Sequence, residues 1–148
     1  MKFSKKSRYG LVALIDLSVN SKEGHVALNS IAERNGISPQ YLEQIFAALR
    51  RAGIVRSIKG SQGGYLLNLS PKKITVASVL DALDGGYCLE DETIDADSNS
   101  KAITMTIQKC VIDEVNRQLD EILQNLTLED LEKDYQNNQS YDDGMYYI

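Results

Sequence analysis

Few residues in this 148-residue chain are equipped for bond-making chemistry, and many are equipped to hold an anion. Cys88 and Cys110 are its two cysteines and His25 its single histidine. That is too little for a disulfide framework, a zinc cage or a Cys/His nucleophile pair, so an enzyme is not expected. Cations, in contrast, are concentrated. Residues 1–75 carry twelve Lys/Arg against four Asp/Glu, a balance of +8, and residues 76–148 carry four against seventeen, a balance of −13. The overall charge of −5 therefore averages two opposite halves. A polyanion-binding half joined to a half with different work would show this asymmetry, and so would uneven solvated faces.

The basic half must present its cations on definite elements. Ser4 can cap a helix whose apolar positions Leu11, Leu14, Ile15, Leu17 and Val19 fall at three- and four-residue spacing. Lys5, Lys6 and Arg8 lie in its first turns, where the helix dipole disfavours cations, so an anion outside the protein would gain from both side chains and free N–H groups. A second helix around Leu28, Ile31 and Ala32 stops at Asn35-Gly36, which tolerate a sharp turn. Ser38 then caps a third, with Pro39 at its first position and Leu42, Ile45, Phe46 and Leu49 as its apolar stripe. Two helices joined by so short a turn read as a helix-turn-helix, or as an ordinary helical corner. In the first case the start of the second helix, Ser38, Gln40, Tyr41, Glu43 and Gln44, would meet base edges in a major groove. Next, "IVRSIK" and "YLLNLS" flank "GSQGG", a β-hairpin with Gly60, Gly63 and Gly64 at its tip and Arg56 and Lys59 beside them. A hairpin directly after a recognition helix is a wing.

The stretches "SKKSRYGL" at 4–11, "SPQYLEQIFAALRRAGIVRSIKG" at 38–60 and "GGYLL" at 63–67 resemble the Rrf2 family of bacterial winged-helix transcription regulators. The likeness runs collinearly through about the first 85 residues. It implies that Ser38, Gln40, Tyr41, Glu43 and Gln44 lie at the recognition helix. It also implies that Lys59, Gly60, Ser61, Gln62 and Gly63 form a wing tip over the minor groove, and that Arg8 and Tyr9 lie on the helix touching backbone phosphate.

The acidic half begins with a helix, "TVASVLDALDG", followed by "YCLEDETIDADSNSK", which lacks periodicity and reads as a mobile loop. In "ITMTIQKCVIDEVNRQLDEILQNL" the residues Ile112, Val115, Leu119, Ile122 and Leu126 step by three and four, an apolar seam that packs on its own domain or pairs with its twin. Helix-turn-helix proteins usually read two half-sites, which favours a homodimer through this seam. "TLEDL" reads as the capped start of a short helix. The remaining "DYQNNQSYDDG" is too polar to offset its own ordering entropy and reads as a tether ending in Met-Tyr-Tyr-Ile.

Iron–sulfur members of the family carry three cysteines in a short loop at about the place where this chain keeps Cys88 alone. A cluster is therefore not expected and no cofactor is assigned. A cluster shared across a dimer, a thiol redox switch and two structural cysteines all remain open. The missing ligands, "LTLEDL" and the final "MYYI" are similar to the branch that represses cysteine metabolism without a metal. That likeness implies cysteine synthase as a partner, an enzyme whose active site accepts a C-terminal isoleucine. Tyr147 and Ile148 would be the handle, or the tail would fold back on the dimer.

The expected fold is thus mainly α, a winged helix-turn-helix with a two-stranded β wing and a long C-terminal dimerisation helix. Its divisions are residues 1–86 for DNA binding, 87–101 as the acidic loop, 102–134 as the dimerisation helix with a short helix, and 135–148 as a flexible tail. Specificity is expected from Gln40, Tyr41, Glu43 and Gln44, and affinity from Lys5, Arg8, Arg51 and Lys59. The alternatives are a protein-interaction adaptor on the same fold and an iron–sulfur or thiol redox-sensing regulator of the family it resembles. With no membrane-length apolar run and an N-terminus too polar for a signal peptide, the expected location is the cytoplasm.

Overall fold

The computed structural model describes residues 3–95, 97 and 99–145. Helix α1 spans Lys5–Asn20, α2 Leu28–Asn35 and α3 Pro39–Arg51; strands β1 Val55–Ile58 and β2 Gly64–Leu67 form one antiparallel hairpin. After a 3-10 turn at Pro71–Lys73 come α4 Val76–Asp84, α5 Lys101–Ile107, a π turn at Gln108–Asp113, α6 Glu114–Asn125 and α7 Leu128–Met145. Among the described residues no helix is long and apolar enough to cross a membrane.

The local punctuation acts as its chemistry dictates. The Ser4, Ser38 and Thr75 hydroxyls accept from the N–H groups of Ser7, Tyr41 and Ser78, closing the starts of α1, α3 and α4. Gly36 ends α2 in the left-handed conformation, which lets Ile37 turn inward beneath the corner. The main core is made by α1, α2, α3 and α4. Leu14, Leu17, Ile31, Leu42, Ile45 and Phe46 are fully buried there.

Backbone hydrogen bonds bolt the C-terminal half to this core. Val76 N–H donates to the Leu126 carbonyl and Leu128 N–H to the Ile74 carbonyl, both at 2.8 Å. Leu128 enters the main core. Thr127 and Asp130 exchange hydrogen bonds of 3.0 and 3.2 Å, a reciprocal cap for α7. One turn later Glu132 is buried, accepting from the Ser18 hydroxyl at 2.6 Å and pairing with Lys22 at 3.0 Å. Burial pushes the Glu132 carboxyl up, but Ser18 and Lys22 outweigh it and hold it below its usual range.

This anchored first turn corrects the expectation of a short helix and a flexible tail from 135: α7 continues to Met145. Once the costly nucleus is fixed by Leu128 and Glu132, each further residue adds a backbone bond. The pairs Lys133–Glu129 and Asn138–Asp134 support the exposed turns. Tyr147 and Ile148 lie outside the described residues.

The apolar seam also divides. Leu119, Leu123 and Leu126 pack against Val76, Ala77, Leu80 and Tyr87 of the same chain, while Val115 and Ile122 stay on open surface, Ile122 at 60 % exposure. The inward face of α6 is centred near Leu123, because polar residues beside it have partners too. Asn116 makes two hydrogen bonds to the backbone of Leu89, and Asp120 accepts from the Tyr87 hydroxyl. Burial, then Asp120, pushes the Tyr87 phenol up to about 12, so it stays a donor at neutral pH. Residues 87–95 form neither helix nor strand, yet Tyr87, Leu89 and Glu92 are tied to the helices. They are less free than the composition suggests.

Candidate nucleic-acid interface

The sequence-predicted recognition residues share one exposed helical start. Ser38, Gln40, Glu43 and Gln44 are exposed at the N-terminal end of α3, whose opposite face is buried through Leu42, Ile45 and Phe46. Tyr41 differs, being half-buried with its ring edge-on to Tyr9 of α1, centroids 5.8 Å apart. The Lys5 ammonium stands 5.6 Å over the Tyr9 ring. A chain of contacts thus runs from a cation of α1 through two tyrosines to the recognition helix. Tyr9 and Tyr41 set the angle between the elements while Lys5 and Gln40 face outward. Arg8 lies exposed over the ring of Phe3, 5.7 Å away.

At its other side α3 is fixed to the wing, with the Phe46 and Tyr65 rings 4.7 Å apart. The wing pairs Val55 with Leu67 and Ile58 with Gly64. The tip Lys59–Gln62 is exposed and Gly63 half-buried. Gly60 has φ 121°, a conformation that L side chains rarely adopt, and a Cβ on Gly63 would meet the Ile58 carbonyl. These glycines make the tight turn as well as leave its backbone bare. Arg51 is exposed at the far end of α3, roughly 17 Å along the helix from Gln40 and next to the start of the wing.

The charge pattern is the strongest feature. Among the described residues the ion pairs involve Lys22, Arg34, Arg117 and Lys133; Lys5, Arg8, Arg51, Arg56 and Lys59 form none with a protein carboxylate. Exposed cations left uncompensated beside a polar helix start suit a polyanion, and Gln and Glu side chains suit base-edge hydrogen bonding.

One expectation needs correction. The N-terminus of α1 is not open to an outside anion, because Asp84 at the end of α4 already occupies it, accepting from the hydroxyls of Ser4 and Ser7 and from the Ser4 N–H. Burial pushes the Asp84 carboxyl up, but these donors outweigh it and hold it below its usual range. Asp84 thus already faces the positive end of the helix dipole, and an outside anion would meet α1 through side-chain cations such as Lys5 and Arg8. No local pattern announces this cluster, since its members lie about 80 positions apart.

The chain matches the Rrf2 family, described as iron-dependent transcriptional regulators, over residues 3–134. An iron–sulfur site needs thiolates gathered together. Here Cys88 lies beyond α4 and Cys110 in the π turn, both exposed, and the described residues contain no group of three His, Cys, Asp or Glu arranged to hold a metal. Within one copy the described residues do not fit such a centre.

The chain is 37% identical to the transcriptional regulator CymR of Bacillus subtilis, over all of both chains. It is 36% identical to IscR of Pectobacterium carotovorum over 88% of this chain and 79% of that one. Among solved structures, that of CymR, the global cysteine regulator of B. subtilis, superposes with a TM-score of 0.72 at 35% identity, over 90% of this chain and 97% of that one. IscR of T. potens superposes with a TM-score of 0.69 at 37% identity, over 94% and 91%. The winged helix with its uncompensated cations, the match over nearly the whole chain and these relatives agree: the chain belongs to the Rrf2 family of transcription regulators.

Proposed function

We propose that this regulator is a homodimeric, sequence-specific repressor of cysteine and sulfur metabolism genes, with operator DNA as its ligand. The uncompensated cations Lys5, Arg8, Arg51 and Lys59 around the polar start of α3 carry this reading. Lys5 and Arg8 take phosphates beside the recognition helix. Ser38, Gln40, Glu43 and Gln44 read base edges in the major groove, and the tip Lys59–Gly63 tracks the adjoining minor groove.

The second copy has a surface to meet. Ile103, Met105, Ile107 and Val111 are exposed along α5 and the π turn, continuing to Val115 and Ile122 of α6. Beside them opens an apolar groove of about 400 Å³ lined by Phe3, Leu11, Leu80, Tyr87, Leu119 and Leu123. So much apolar surface on one helical run suits a twin helix. The control of cysteine genes rests on the likeness to CymR. The resemblance of the final "MYYI" adds cysteine synthase as a partner, with Ile148 supplying a β-branched side chain and a carboxylate and Tyr147 lying beside it in sequence.

A salt titration against a duplex selected from a random pool tests the DNA reading. Each phosphate contact contributes a log–log slope of about −0.9. Lys59→Ala weakens binding to all sequences and flattens the slope by about one contact, whereas Gln44→Ala relaxes base preference and keeps the slope. A wild-type chain with no salt dependence is a protein-interaction adaptor instead. Deleting Ile148 should abolish binding to cysteine synthase and leave the dimer and its DNA affinity intact; unchanged enzyme affinity removes that partner from the reading.

A further inference from the structure

The wing is a two-stranded sheet, so the tilt of the hairpin must be set by contacts outside its own ladder. The chain just before α2 supplies that support. Val26 N–H donates to the Tyr65 carbonyl at 3.0 Å and Tyr65 N–H to the Val26 carbonyl at 2.9 Å, an isolated antiparallel bridge. A Cβ on Gly64 would run into the Val26 carbonyl and come within 3.0 Å of the His25 ring, so glycine there lets the two backbones close. One residue before this bridge, His25 Nε2 lies 2.6 Å from the Gln62 carbonyl oxygen, across 37 positions of sequence. The acceptor is a carbonyl, so Nε2 carries the hydrogen, in the neutral ring and in the imidazolium alike. Gln62 belongs to the tip itself, beyond the last paired position of the hairpin, Ile58 with Gly64.

We propose that His25 is a positioning residue for DNA binding: its bond to the Gln62 carbonyl fixes the wing tip Lys59–Gly63 against the helix-turn-helix, so that tip and recognition helix meet the duplex in one register. The proposal rests on the DNA-binding reading above. Without the bond the tip is left with its own turn, Gly63 N–H to the Gly60 carbonyl at 3.1 Å, and with glycine on either side of that turn to hinge on. The Val26–Tyr65 bridge and the Phe46–Tyr65 contact stay in place, so the hairpin remains docked while its end swings. His25 is exposed, and its removal opens no cavity. The cost of ordering the tip then moves from folding to binding.

Three variants separate the ring from the donor. His25→Ala removes both, His25→Phe keeps a ring without the donor, and His25→Gln returns an amide N–H near the position of Nε2. Backbone relaxation of the free full-length chain is compared with its affinity for a duplex selected from a random pool by the wild type. In the Ala and Phe variants the amides of Gly60–Gly64 become mobile, duplex affinity falls by about tenfold, and the thermal midpoint is kept, while Gln restores affinity to within about twofold. A tip that stays ordered in the Ala and Phe variants overturns the proposal. So does a mobile tip with unchanged affinity, or a Gln variant no better than Ala. A wild type that enriches no duplex sinks the DNA-binding reading and this proposal with it; wild-type binding matched by all three variants sinks the proposal alone.

Discussion

The two halves of the molecule treat charge and grease in opposite ways. In the basic half, Leu14, Leu42, Ile45 and Phe46 are sealed in the core and the cations Lys5, Arg8, Arg51 and Lys59 have no carboxylate partner among the described residues. In the helical half Arg117 pairs with Glu114 and Glu121, and Lys133 with Glu129, while Ile103, Val111 and Ile122 lie open. Each half leaves unsatisfied the feature that its partner would complete. Open cations suit a polyanion, and open aliphatic side chains suit another protein surface. The hydrogen bonds of Arg117, followed by that of Gln118, hold the Glu114 carboxyl down at about 2, so the charges on that outer face are already matched to one another.

The contrast can be broken from either side. The largest effect is expected for Phe46→Ala, which empties the sealed core and frees Tyr65 of the wing; thermal and denaturant unfolding should show a loss of about 3–5 kcal/mol. On the open side Ile122→Asp should leave the fold of one chain intact and dissociate the proposed dimer. An unpaired carboxylate in a closed interface costs about 3 kcal/mol, roughly a hundredfold in dissociation constant. Sedimentation decides, and a monomeric wild type ends that assignment. Leu119→Asp is a poorer probe, since Leu119 also packs on its own α4.

A smaller effect follows from the junctions between halves. Asp84 and Glu132 are both held below their ordinary values of 3.8 and 4.5. Depressed carboxylates stabilise the fold fully above the unfolded-state values and lose that stabilisation as pH falls through the folded ones. Unfolding should therefore ease below about pH 4, and Glu132→Gln, costing about 1 kcal/mol at neutral pH, should remove part of that dependence. The smallest effect is expected for Cys88→Ser with Cys110→Ser. Both thiols are exposed and belong to neither α3 nor the wing, so DNA affinity should be unchanged. Stoichiometric iron with acid-labile sulfide in anaerobically purified protein would overturn this reading.

Legibility followed locality. The caps at Ser4, Ser38 and Thr75, the turn at Gly36, the stripe of α3 and the Gly-rich hairpin were all readable, because each depends on residues within a few positions. The seam of α6 was readable as apolar, but its direction was not. A period of three and four names a helix face without saying which neighbour takes it, and the partners of Asn116 and Asp120 turned that face toward Leu123. The length of α7 escaped for the same reason: polar composition argued for a tail, and distant Ser18 and Lys22 anchored a helix start.

By itself the sequence determined the capped starts of α1, α3 and α4, the stop of α2, the winged architecture, the opposite charges of the halves and the family, since these are set by short-range propensity and by pattern. The tertiary structure alone decided which polar groups are already spent. Asp84 closes the start of α1, Glu132 ties α7 to α1, and His25 meets the wing tip, each across tens of residues. Such bonds are decided by where the packed elements bring two side chains, and spacing along the chain carries no record of that.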